Sequence, residues 1–175
     1  MRVCVLRQSD HLRLRTPDAT MVALRVVVCF AVLAAAAASP VEQCPGEVTD
    51  NLEENVQLHP CKKLPCKLRK GTDQSISINF IPATDTSDIK NSVQAEVFGV
   101  QLPFIGVDGV SICDKIFLES GDKAGCPLKA GTKYTYKDYF PILSVYPSIA
   151  VKVHWGLLNE HRKNIICFEV PAMIK

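Results

Sequence analysis

Eight cysteines and four histidines are the residues of this chain best suited to covalent, metal or proton-transfer chemistry, and their spacing argues against catalysis. A serine nucleophile of the hydrolase type needs Gly-x-Ser-x-Gly, and Gly109-Val-Ser111-Ile-Cys113 fails at its last position. His-Glu-x-x-His, the phosphate-binding P-loop and Gly-x-Gly-x-x-Gly do not occur. His59 lies beside Pro60 and Cys61, in what reads as a loop. His154 alternates with Trp155, which turns the histidine to solvent and the indole to the core; His161 sits in a polar turn. Such positions suit solvated histidines better than general bases. A zinc site needs Cys-x-x-Cys pairs or histidines clustered with cysteines at zinc-ligand spacing, and neither is present. No metal, no cofactor and no enzymatic activity are expected.

The cysteines become informative once the amino-terminal segment is set aside. Val26 to Ala38 is an unbroken apolar run of 13 residues, short of the ~20 that span a bilayer. Arg25 precedes it, and Ala36 and Ala38 are the small residues of a cleavage site. Residues 1–38 therefore read as a signal peptide cut after Ala38, with Met21 as an alternative start. Cys4 and Cys29 leave with it. Cys44, Cys61, Cys66, Cys113, Cys126 and Cys167 remain, an even number that implies three disulfides in a secreted chain. Parity leaves the ~15 possible pairings open. The leader also removes five arginines and two aspartates, leaving 15 basic and 16 acidic residues, a net of −1. That balance offers no footprint for nucleic acid.

Residues 39–175 show neither repeat nor linker and read as one domain. Their main signal has period two. Ile76, Ile78 and Phe80 alternate with polar neighbours, as do Val93, Ala95 and Val97; Tyr134 and Tyr136; Ile149, Val151, Val153 and Trp155; and Ile166, Phe168 and Val170. This marks strands with one buried face. Turn-like Gly71-Thr-Asp73, Asp108-Gly109, Ser120-Gly-Asp122 and Ala130-Gly131 separate them, and Asn159 to Asn164 reads as a polar hairpin tip. No run of ten residues has helical periodicity. The expected fold is all-β, an antiparallel sandwich.

Two apolar clusters fall outside the alternation: Val100 to Val107, and Tyr139 to Pro147, both broken by proline. Such loops suit the mouth of an apolar cavity between sheets. The same pattern suits loops that simply pack on the core.

At these residues the chain resembles a family. Cys61-Lys-Lys-Leu-Pro-Cys66-Lys-Leu-Arg-Lys-Gly71, Leu102-Pro-Phe104, Cys126-Pro127, Tyr134-Thr-Tyr136, Tyr146-Pro-Ser-Ile149, Trp155 and Cys167-Phe-Glu-Val-Pro171 follow in order. The series is similar to the Niemann-Pick type C2 proteins of the ML lipid-recognition domain, related to the group 2 mite allergens, and covers residues 42–174. The resemblance implies an immunoglobulin-like β-sandwich of two antiparallel sheets. It also implies the pairings Cys44–Cys167, Cys61–Cys66 and Cys113–Cys126, and a sterol or other hydrophobic lipid between the sheets. Family lining positions fall on Phe104, Ile142, Tyr146 and Pro147, with Phe104 and Tyr146 as aromatic walls or gates. Val110, Ile112 and Trp155 are weaker candidates, since core packing explains them equally well. A sterol hydroxyl is expected at the polar rim, without a deep polar partner. Phe104→Ala is expected to weaken ligand binding with little change in unloaded melting, and Trp155→Ala to lower melting heavily.

The implied role is a secreted, monomeric lipid-transfer protein that contacts a membrane surface or receptor during transfer. The alternative implied by the resemblance is a lipid-sensing module that presents its lipid to a receptor in innate immunity. Two features depart from vertebrate members. The Cys113–Cys126 loop is longer, with 12 residues between the cysteines, and residues 39–175 hold no Asn-x-Ser/Thr sequon. Vertebrate members reach the lysosomal lumen through glycan tags, so the extracellular space is the expected destination here.

Overall fold

Alternation in the sequence becomes two facing sheets in a computed structural model that describes residues 41–175; the expected leader and its cut after Ala38 lie outside the described residues. The strands are β1 (Glu42–Gln43), β2 (Val56–His59), β3 (Cys66–Leu68), β4 (Thr72–Phe80), β5 (Ile89–Val97), β6 (Val100–Pro103), β7 (Ile116–Leu118), β8 (Tyr134–Ile142), β9 (Ala150–Asn159) and β10 (Asn164–Ile174). One sheet runs β1-β10-β9-β5-β6, with β3 also paired to β10; the other runs β2-β4-β8-β7. A single helical turn, α1 (Leu52–Asn55), and a 3-10 turn at Cys113–Lys115 interrupt the strands.

Burial follows the period-two pattern. β4 buries Gln74, Ile76, Ile78 and Phe80 and turns the intervening residues outward. β9 and β10 pair in antiparallel register with Trp155 opposite Phe168 and Val153 opposite Val170. Their side chains share the inner face, and the rings of Trp155 and Phe168 stack at 6.4 Å. Asn159 closes the β9–β10 hairpin, its Oδ1 accepting the N–H groups of His161 and Lys163. The polar tip read from the sequence is thus a built turn.

The two sheets are antiparallel apart from the three-residue β3, which joins β10 in parallel, Cys66 opposite Ala172. One expectation needs correction. Tyr139 to Ile142 is not a loop but the end of β8, paired through Pro141 opposite Asp73. Proline is tolerated there because β7 stops pairing at Tyr136, so β8 is an edge strand beyond that point.

The disulfides are Cys44–Cys167, Cys61–Cys66 and Cys113–Cys126, with Cα separations of 5.7, 5.2 and 5.2 Å. The first ties the amino-terminal end of the sandwich to β10. The second bridges the segment between β2 and β3, on opposite sheets.

Candidate functional site

Inward positions on four long strands converge on one apolar cavity of about 30 Å³ between the sheets. Gln74 of β4, Phe140 of β8, Val153 and Trp155 of β9, and Val170 and Ala172 of β10 line it. Phe104 joins them from beyond β6. Its N–H donates to the Val93 carbonyl at 2.9 Å, and its own carbonyl accepts from Val107 and Asp108 at 3.1 and 3.0 Å. Pro103 ends the strand just before it. The backbone therefore holds Phe104 turned inward, only 3% exposed. Leu58, His59, Cys61 and Ser75 form the more accessible side of the lining.

An aromatic series runs along the wall. Tyr146 meets Phe104 at 5.2 Å, Phe104 meets Phe140 at 6.2 Å, and Phe140 meets Trp155 at 5.2 Å, all edge-to-face. This geometry aligns ring edges with ring faces and adds to the burial of the rings. Tyr146 is strapped in place, its hydroxyl accepting the Ile105 N–H at 3.1 Å. Loss of solvent around it pushes its phenol above the ordinary tyrosine value.

Behind the wall, Trp155 is held by a chain of polar groups. Its indole N–H donates to Asn91 Oδ1 at 3.2 Å, and Asn91 Nδ2 donates to Tyr136 Oη at 2.8 Å. Tyr136 donates to Asp138 Oδ2 at 2.8 Å, which also takes the Lys115 ammonium at 2.9 Å. Burial holds the Tyr136 phenol well above its ordinary value, so it stays a neutral donor. Every link is satisfied, which is the condition for a buried polar network to be stabilising.

The expected site residues are brought together in part. Phe104 and Trp155 line the cavity, and Tyr146 packs on Phe104. Ile142 is fully buried and Ile112 wholly inaccessible, but neither is in this lining. Val110 is 41% exposed and Pro147 is exposed. Residues 109–112 instead hydrogen-bond along the edge of β5, Asn91 N–H to the Val110 carbonyl and Ile112 N–H to the Ile89 carbonyl, which takes Val110 to the surface. Phe104 is more tightly packed than a mouth residue should be. Phe140 and Gln74 were not anticipated. Both lie in phase with recognised alternations, Phe140 four residues after Tyr136 and Gln74 two before Ile76, so extending those patterns finds them.

His154 differs from a freely solvated histidine. It is half-buried over the Cys44–Cys167 bridge, with Glu169 Oε1 at 3.6 Å. Cysteines approach His154 in one cluster and Asp88 in another, but all four sulfurs are committed to disulfides and are not thiolate ligands.

Two facing sheets around an aromatic-walled cavity, with three disulfides in the chain, define a disulfide-bonded β-sandwich with an apolar interior. The chain belongs to the ML domain family, whose model matches residues 38–174. It is 30% identical over 155 residues to the NPC intracellular cholesterol transporter 2 homolog a of Drosophila melanogaster, a match covering 89% of this chain and 100% of that protein. It is 27% identical over 143 residues to mite group 2 allergen Tyr p 2 of Tyrophagus putrescentiae, covering 79% and 90% respectively. The fold is shared with a Niemann-Pick type C2 protein from Japanese carpenter ant, with a TM-score of 0.62 over 77% of this chain and 98% of that one, at 24% identity. The family match and the named transporter relative are not those of an enzyme, and this chain is not an enzyme.

Proposed function

We propose that the protein is a secreted, monomeric carrier that takes an apolar lipid, a sterol above all, into the cavity between its sheets and releases it at another surface. The observation that carries this reading is the cavity itself: walled by Phe104, Phe140 and Trp155, in a family whose relatives include named cholesterol transporters. Transfer of apolar surface out of water drives loading, at about 25 cal/mol per Å². The cavity of about 30 Å³ has room for one or two waters, whereas ligand pockets run to roughly 300–1,000 Å³. Loading therefore requires the lining to move apart. The pocket is narrow when empty, and ligand binding includes the work of widening it.

The leader read at residues 1–38 supports secretion, and among the described residues no helix is long and apolar enough to cross a membrane. The β5–β6 hairpin supports contact with a membrane surface or receptor. Its two turn residues, Phe98 and Gly99, both have positive φ, 51° and 79°. Asn or Gly normally fills such positions, yet Phe98 stands 96% exposed beside exposed Val100 and Leu102. A strained, solvated aromatic at a hairpin tip suits insertion among lipid headgroups better than it suits folding.

Trp155 is the sole tryptophan of the chain and stands in the cavity wall, which makes it a reporter. Titration of the secreted protein with the fluorescent sterol dehydroergosterol should give saturable energy transfer from Trp155 with one site per chain. Absence of saturable transfer, together with no lipid in solvent extracts of the purified protein, would overturn the carrier reading.

A further inference from the structure

Among the side chains lining the cavity, polar atoms outside the disulfides belong to His59, Ser75, Gln74 and the Trp155 indole. Three are already accounted for. His59 is exposed, Ser75 Oγ donates to the His59 carbonyl at 3.5 Å, and the indole N–H is taken by Asn91. Gln74 is different: it is 94% buried, with 6% of its surface exposed.

The orientation of its amide follows from its neighbours. Thr72 Oγ1 donates its one proton to the Arg69 carbonyl at 2.7 Å. It can then only accept, and it accepts from Gln74 Nε2 at 3.3 Å. The Asp73 carbonyl, also only an acceptor, takes the same nitrogen at 3.1 Å. The NH₂ end is therefore committed to its own strand, and the oxygen is the other end. Thr72 and Asp73 line a polar surface groove with Lys67, Arg69 and Lys175, and Gln74 borders both that groove and the apolar cavity. With the nitrogen committed to Thr72 and Asp73, which line the groove and not the cavity, Oε1 is the end of the amide left for the cavity. It has no donor among the described residues, and no side-chain oxygen there is both sealed and unpartnered. It opens onto space a ligand would fill.

We infer that Gln74 Oε1 is a hydrogen-bond acceptor for the polar end of the bound lipid, and that it selects an uncharged donor, an alcohol headgroup, over the same skeleton without one. The inference rests on the carrier reading and adds to it the orientation and headgroup class of the ligand. An acceptor in an apolar wall rewards a hydroxyl that brings its own proton, and is left unpaired by an ether. A carboxylate or phosphate would set acceptor against acceptor at low dielectric and is disfavoured.

The test is competition against dehydroergosterol by cholesterol and by cholesterol 3-methyl ether, which differ in the donor. The parent should bind the alcohol about tenfold more tightly than the ether, the scale of one hydrogen bond in a buried site. Gln74→Met, similar in length and without the acceptor, should bring the ratio near one. Thr72→Val, which releases one tether of the amide, should lower the ratio part-way, and guards against a Gln74→Met chain that fails to fold. Equal binding of alcohol and ether by the parent, or an unchanged ratio in Gln74→Met, overturns the inference and leaves the carrier reading standing. Loss of all saturable sterol binding in the parent overturns both.

Discussion

Phe104→Ala separates a pocket that stands wide from one that is narrow when empty. Phe104 is 3% exposed and lies between Tyr146 at 5.2 Å and Phe140 at 6.2 Å, beside a void of only about 30 Å³. Its ring is thus packed on nearly every side in the empty protein. Truncating a buried phenylalanine costs about 3–5 kcal/mol; the lower end applies here, since Tyr146, on a loop, can settle into part of the space. About 3 kcal/mol corresponds to a fall of roughly 10 °C in melting temperature for a domain of this size. The lipid-loaded form loses contacts with the same ring, so the two losses partly cancel in affinity, which should fall less than about tenfold. Differential scanning calorimetry of delipidated protein and dehydroergosterol titration measure the two quantities. A melting temperature within 2 °C of the parent, combined with an affinity loss well beyond tenfold, would show that the ring faces a wide pocket and refute the narrow-cavity reasoning.

Asn91→Ala should lower the melting temperature more than the loss of a polar side chain suggests. It strands the Trp155 indole N–H, a buried donor, at about 1–3 kcal/mol in addition to the lost packing, and thermal unfolding of Asn91→Ala against Asn91→Asp checks it. Cys44→Ser with Cys167→Ser removes a bridge across 123 residues, while Cys61→Ser with Cys66→Ser opens a loop of 5. In the chain-entropy model the long loop is worth about 5 kcal/mol and the short one much less. Denaturant unfolding of the two double variants should rank them in that order, and equal losses would show that the Cys61–Cys66 bridge acts through native packing instead.

The primary structure by itself determined the fold class, because period-two burial, turn residues and the lack of helical periodicity are local properties that survive without a partner strand. Ile76, Ile78 and Phe80 face inward in β4 for the reason visible in their spacing. Even cysteine number behind an apolar leader pointed to three bridges; which cysteines pair followed from family resemblance rather than from counting, and the structure has the same pairs. Aromatic and proline-flanked segments marked the region of Phe104 and Tyr146. The tertiary structure alone decided the rest. Phe104, Gln74 and Trp155 are neighbours only because two sheets face each other, and sheet packing depends on contacts between residues far apart in the chain. It decided that Pro141 continues a strand, because β7 ends early, and that Val110 is drawn outward along β5. It decided that the cavity is narrow, a matter of how side chains from seven segments interdigitate. And it decided the direction of the Gln74 amide, which depends on where Thr72 sends its single proton.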